Sequence, residues 1–292
     1  MTHRGTGWLV DPFDSRDQDA EGVLFGAGAA YAREVNLYEL VVADPRYEAM
    51  HDQGDSSSCV GWSFSDVLCL GKGIHHGAYY FAAPRVIYTN ARRAPYIDAG
   101  SYPRLAAQGM REWGAPPETL QGAEFSERRI NEPLAWHVLR AGAGGRIKNF
   151  YKVLGYGPSL VENLYRALTA KHPITFGQGV DRAFNDYKGG VLGKFSGASS
   201  GGHMTFAYGF DADGNFLCKN QSWPNWGEKG GALRRELGFY RMSPERMMER
   251  HVSDHYAFSP MLVAASPDHL PVASDDDDDV AALDSPGLDE DA

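Results

Sequence analysis

Apolar residues recur at helical spacing through the first half of the chain, and the period then changes. Val60, Phe64, Val67 and Leu68 fall at offsets of four, seven and eight, which is one face of a helix opening at Cys59. Ser56, Ser57 and Ser58 offer N-cap hydroxyls just ahead of it, and Gly71 and Gly73 are the expected stops. Pro84 to Ala94 reads as a short helix with proline near its start. Tyr102, Leu105, Ala106, Gly109 and Trp113 mark another, ended by Gly114. A further helix fits Leu160, Leu164, Ala167 and Leu168. Beyond it, Pro173 to Gly177, His203 to Phe210, Asn215 to Lys219 and Gly230 to Arg241 read as short strands, separated by glycine-rich and Asp-Gly turns.

Helices first and strands later predict an α+β protein with two packed halves. Residues 1–40 have few periodic apolar positions and are expected to form an extended N-terminal arm. The expected helical lobe covers 41–155, the β-rich lobe 156–265, and an acidic, disordered tail 266–292. Trp62, Phe64 and Trp113 are expected in the core. At 292 residues and 43% hydrophobic content the chain can bury one large core or two modest ones.

The formal charge of -10 misleads, because the nine acidic residues of 275–292 account for nearly all of it and leave a body close to neutral. That balance offers no basic footprint for nucleic acid. No stretch approaches a membrane span, and Met1 to Gly7 lack the basic start and apolar run of a secretory signal. Export by a standard signal is therefore not expected. Cys59, Cys69 and Cys218 are too widely spaced for a zinc pattern or a disulfide framework, and the adjacent His75 and His76 would diverge by about 100° on a helix, so no metal is expected.

Cys59 is the informative cysteine. At a helix start it meets unpaired N–H groups and the positive end of the helix dipole, both of which favour thiolate. Gln53, six residues earlier, can aim an amide N–H at an oxyanion. A serine-capped structural cysteine would account for the helix start alone, so the weight falls on what else the chain supplies. A thiol nucleophile needs a base, a group that orients the base, and donors for the developing oxyanion. His203 opens a probable strand, and Asn220, seventeen residues on, ends the next, so one hairpin can bring them together.

These segments resemble the papain-like cysteine peptidases, especially their bacterial branch, over most of residues 7–258. Gly7-Trp8-Leu9 with Asp14-Ser15-Arg16-Asp17 is similar to the arm ahead of the catalytic core in bacterial members. Gln53 to Cys59 keeps the family's spacing, and Asp98 to Arg104 looks like the substrate-cleft segment. Phe184 to Val191, Gly201-Gly202-His203 and Lys219 to Glu228 match the segments around the histidine and the asparagine. The resemblance implies a two-lobed fold with the active site in the cleft between the lobes. It also implies Cys59 as nucleophile, His203 as general base and acid, Asn220 as the group orienting the imidazole, and Gln53 with the Cys59 N–H as oxyanion hole.

Gly100, Ser101, Tyr102 and Pro103 would contact substrate, although a turn leading into a helix accounts for them equally well. The implied activity is hydrolysis of peptide bonds through a thioester, on a peptide or protein substrate, without a cofactor. Ser57 stands where the family usually has glycine. Ser56 stands where plant and animal members place a disulfide cysteine, and the loss of that bridge fits a reducing compartment. Gln221 separates Asn220 from Ser222-Trp223. Counting from Trp226-Gly227 favours Asn220 as the orienting amide, and counting from Ser222-Trp223 favours Gln221.

Two other readings share this sequence: a papain-fold binding or structural module with its chemistry weakened, and an amidase acting on cell-wall peptides. The arm is expected to be able to cross the cleft, and a cut near residue 36 is expected to leave folding intact.

Overall fold

The computed structural model describes residues 6–41, 44–49, 51–92, 99–120, 130, 132, 135, 138, 141–221, 223 and 225–260. The acidic tail, Asp98 and Ser222 lie outside them. A turn of helix, α1 (Glu21–Leu24), and a two-residue strand, β1 (Val35–Asn36), precede the long α2 (Cys59–His76), then α3 (Pro84–Asn90) and α4 (Pro103–Glu112). Next come β2 (Ile147–Lys152), α5 (Pro158–Thr169), β3 (Ile174–Gly179), α6 (Arg182–Asn185) and β4 (Val191–Leu192). The chain closes with β5 (Gly202–Phe210), β6 (Phe216–Lys219), β7 (Phe239–Met242), α7 (Pro244–Met247) and β8 (Val252–Pro260).

The strands form one sheet in the order β2-β8-β3-β5-β6-β7-β4, antiparallel except where β4 meets β7. β5 is its centre. It pairs with β3 and β6 on its two sides, and β1 continues the β3 side where β3 ends. Nearly every β5 residue is buried, as expected of a strand covered on both faces.

Helix α2 is buried from Cys59 to Gly73, all the way round, so it runs through the interior between α3 and the sheet. Gly71 and Gly73 do not end it. A Cβ at Gly73 would come within 2.6 Å of the Tyr47 ring, so that glycine serves close packing. The stop is Gly77, whose left-handed φ of 64° lets its N–H reach the Gly73 and Lys72 carbonyls. At the other end Ser58 is the N-cap residue but caps with no side-chain bond, because its hydroxyl lies 2.6 Å from that of Ser56.

Two polar links fix α2 to the sheet. Ser63 Oγ donates to the Thr205 carbonyl of β5 at 2.9 Å, and Lys219 Nζ at the end of β6 donates to Asp66 Oδ1 at 3.0 Å. Both ions are buried. Burial pushes the Asp66 carboxyl up, but Lys219 and His51 outweigh it and hold it below the usual range. Removing one partner of such a pair costs about 3–5 kcal/mol.

Several expectations need correction. Ile147–Lys152 lies in the segment expected to be helical, yet it is a strand paired with β8. Its polar Lys148 and Asn149 hide the alternation. Gly230 to Gly238 is loop, and only Phe239–Met242 is strand. Trp113 is 63% exposed rather than core, because it caps the C-terminus of α4 at the surface, whereas Trp62 and Phe64 are buried. The arm is more than an extended strap: Ala20, Phe25, Leu37 and Tyr38 are core residues and β1 is part of the sheet. Deletion to residue 36 would remove Ala20, Phe25 and β1 from the body, which weighs against the expected tolerance.

Candidate active site

Cys59 is the first residue of α2, and backbone N–H groups of Met204, Gly7, Val60 and Cys59 itself donate toward its sulfur. Met204 places the sulfur beside the peptide that follows His203. The helix start is also where the dipole and orphan N–H groups favour negative charge. Ser57, where a glycine was the usual residue, needs no glycine here: its φ is not among the positive ones. Burial nonetheless pushes the Cys59 thiol up to about 11, against those backbone donors.

His203 is the second residue of β5, paired with Gln178 of β3, so a central strand holds its ring. Its Nε2 lies 2.7 Å from Asn220 Oδ1. An amide oxygen only accepts, so Nε2 carries the proton and Nδ1 presents a lone pair. Nδ1 has no hydrogen-bond partner among the described residues. Burial lowers the imidazole to about 4, and the bond to Asn220 opposes that shift. Trp223 stacks over the ring at 5.6 Å and 22°, with a left-handed φ of 67°. Phe184 and Trp226 pack behind it.

That geometry separates the two candidate amides. Asn220 meets the imidazole. Gln221 is fully buried and its amide makes no hydrogen bond among the described residues, while its carbonyl accepts from the Gln53 N–H at 3.1 Å. Gln53 itself is buried, its Nε2 donating to the Ser56 carbonyl at 2.8 Å and its carbonyl accepting from Ser56 Oγ at 2.8 Å. An amide nitrogen has two N–H bonds, so the Ser56 contact uses one of them.

The expected cleft is occupied by the chain's own arm. Thr6 to Leu9 lie between Gly100-Ser101 on one side and Gly201-Gly202 on the other. Ser101 N–H donates to the Gly7 carbonyl at 2.8 Å, Leu9 N–H to the Ser101 carbonyl at 3.1 Å, and Trp8 N–H to the Gly202 carbonyl at 3.1 Å. Trp8 pairs with Ser101 in parallel sense. Gly7 lies so close to the Ser57 carbonyl that a Cβ would overlap it. Of the predicted substrate contacts, Gly100 (φ 88°) and Ser101 touch the arm, whereas Tyr102 and Pro103 form the N-terminus of α4. A cavity of about 530 Å³ beside Glu34, Glu39 and Arg241 does not include Cys59 in its lining.

Sequence reasoning missed Trp8 and Asp11 as cleft residues, and Asp254 altogether. Asp11 accepts from the Arg104 N–H and from Tyr256 Oη at 2.8 Å; Asp254 accepts from Trp8 Nε1 at 3.0 Å. Their contacts span more than ninety residues of sequence, so no local pattern carries them. His75 and His76 lie on the last turn of α2, and no cluster of His, Cys, Asp and Glu suited to a metal occurs among the described residues.

No protein-family model matches the sequence, and no curated protein does. Solved structures do. Xylellain, a cysteine protease from Xylella fastidiosa, superposes with a TM-score of 0.70 at 19% identity, over 88% of this chain and 97% of that one. ProCathepsin B S9 from Trypanosoma congolense gives 0.69 at 17%, over 88% and 87%. The bromelain protease from Ananas comosus, in complex with the E64 inhibitor, gives 0.58 at 15%, over 79% and 100%. The chain thus has the two-lobed papain-like fold, helical in one lobe and rich in antiparallel strands in the other.

Proposed function

We propose that the protein is a papain-like cysteine peptidase held latent by its own N-terminal arm. The observation that carries this reading is the His203 ring, with Nε2 held by Asn220 and Nδ1 without a partner among the described residues, one residue ahead of the Met204 whose N–H donates to the sulfur of the helix-start Cys59. In the proposed cycle Nδ1 takes the Cys59 proton and the sulfur attacks the amide carbon. The oxyanion that forms is met by the Cys59 N–H and by Gln53 Nε2, a donor worth roughly 3 kcal/mol in a transition state. The imidazolium then protonates the departing amine, leaving a thioester. Water, deprotonated by His203, hydrolyses it and restores the thiol.

The arm is an inhibitor in this reading and not a substrate. Attack needs a carbonyl carbon at the sulfur, yet the arm presents the Gly7 N–H there, and its Gly7 carbonyl is turned to Ser101. With the site buried, the thiol is pushed up to about 11 and the imidazole down to about 4, and release of the arm from the Cys59 sulfur would lessen the burial of the thiol.

The complete burial of Cys59, Gln53, His203 and Asn220 favours one other reading, a binding or structural module whose cleft stays plugged. Digestion of a peptide library by the Trp8→Ala full chain separates the readings. Peptide-bond cleavage absent from the same protein carrying His203→Ala supports the peptidase. Cleavage confined to cell-wall peptides points to the amidase, and no cleavage of either to the module.

A further inference from the structure

We propose that Asp254, at the floor of the pocket filled by the Trp8 indole, selects peptides carrying an indole-type side chain with a ring N–H. The inference rests on the reading of the cleft as a peptide site.

The pocket is built for a ring with a donor. Trp8 is 8% exposed and its Nε1 donates to Asp254 Oδ2 at 3.0 Å. Two glycines make the room: a Cβ on Gly177 of β3 would overlap the indole, and one on Gly202 would come within 2.8 Å of its Cε3. Asp254 is set by a bulge. Thr175 faces Tyr256 and Gly177 faces Ser253, so β8 carries one residue more than β3 between those pairs, and Asp254 there has a left-handed φ of 56°. Such bulges re-aim a side chain next to functional sites.

Lys152 Nζ donates to the other carboxylate oxygen at 3.0 Å, which fixes the direction of the acceptor. Asp254 Oδ2 also accepts from the Asp11 N–H of the arm, at 3.0 Å. Departure of the arm strips both donors from that oxygen and leaves a buried carboxylate that a ligand N–H would satisfy. A cavity of about 270 Å³, lined by Trp8, Val10, Gly179, Ser199, Arg250 and His251, adjoins Trp8. A site built around a hydrogen bond rejects an isostere that lacks the donor, because its own polar group is then left unpaired.

The test titrates the Trp8→Ala full chain with acetyl-Gly-Trp-Leu-amide, the sequence of residues 7–9, and with the same peptide carrying 1-methyltryptophan or phenylalanine in place of tryptophan. The expected result is binding at least about tenfold tighter for tryptophan than for either substitute. Affinities equal within about twofold, or no binding by any peptide, would overturn the proposal. The discriminating change is on the ligand, so it cannot unfold the protein; should Trp8→Ala not fold, Trp8→Phe serves as the host. Turnover of longer peptides is followed in parallel. A tryptophan preference with no cleavage leaves the pocket standing and removes the peptidase reading, and cleavage without preference does the reverse.

Discussion

The two ends of the N-terminal arm are held in different ways. Residues 6–11 cross the cleft on three backbone hydrogen bonds, one indole in a pocket and one buried carboxylate. Residues 18–38 are woven into the body: the Gln18 and Ala20 backbone bonds flank Lys152 of β2, β1 pairs with β5, and Phe25, Leu37 and Tyr38 are core. The first stretch makes bonds of the kind a bound peptide makes and, although its Trp8 ring packs against the core, can in the proposed reading leave with the sheet intact. The second covers sheet edges that would otherwise be bare, and cannot. One continuous arm therefore joins a removable plug to a permanent part of the fold.

Deletions should break the two ends apart most clearly. Loss of residues 1–36 is expected to abolish cooperative thermal unfolding, while loss of residues 1–10 is expected to leave a cooperative transition, both read by calorimetry. Point changes sharpen the contrast. Trp8→Ala removes an anchor worth roughly 3–5 kcal/mol, so Cys59 alkylation should accelerate about a hundredfold or more. Phe25→Ala should lower the melting temperature by a comparable free energy and, well below that temperature, leave alkylation slow.

Within the site opened by Trp8→Ala, the two amides should separate. Asn220→Ala is expected to lower kcat/KM by about 10- to 100-fold, the worth of a hydrogen bond to an imidazolium, and Gln221→Ala to change it by less than about threefold. Equal losses would place the orienting amide wrongly.

The smallest effect concerns pH. Burial, then Asp254, raises the Asp11 carboxyl to about 6, which favours the docked arm in acid and loses that contribution as pH rises through 6. Burial lowers His203 to about 4, which favours docking at neutral pH and loses that contribution as pH falls from 6.5 toward 4. The two oppose each other over one window, so docking should vary little between pH 7 and 4. Asp11→Asn removes the first, and the arm should then loosen on acidification. Hydrogen exchange at the Trp8 and Leu9 amides, corrected for intrinsic rates, reads this directly. Wild-type behaviour in the variant would show that Asp11 does not titrate with docking.

Much of the site was legible because its parts lie in short local patterns. The Gln53-to-Cys59 spacing and the helix face of Val60 and Phe64 share one short segment, and the strands that carry His203 and Asn220 share another, so each half of the candidate site is local although the two halves are distant in sequence. Between Asn220 and Gln221 the sequence favours Asn220, from its place at the end of a strand and its distance to Trp226-Gly227, but both are amides in one segment and only the bond to the His203 ring separates them. Trp8, Asp254 and Gly177 escaped for another reason: they meet across the whole chain, and a bulge aims Asp254. β2 and β8 were missed because their partners, and hence their strand character, are set by the sheet rather than by alternation.

The most direct test of a latent thiol site under the arm is covalent labelling. The wild-type chain and its Trp8→Ala and Trp8→Ala/His203→Ala forms are incubated with an epoxysuccinyl thiol-peptidase inhibitor and mapped by mass spectrometry. The account predicts an adduct on Cys59 that forms slowly in the wild type, rapidly in Trp8→Ala, and not at all once His203 is removed. An adduct on Cys69 or Cys218 instead, or a Cys59 rate indifferent to Trp8 and His203, would contradict it.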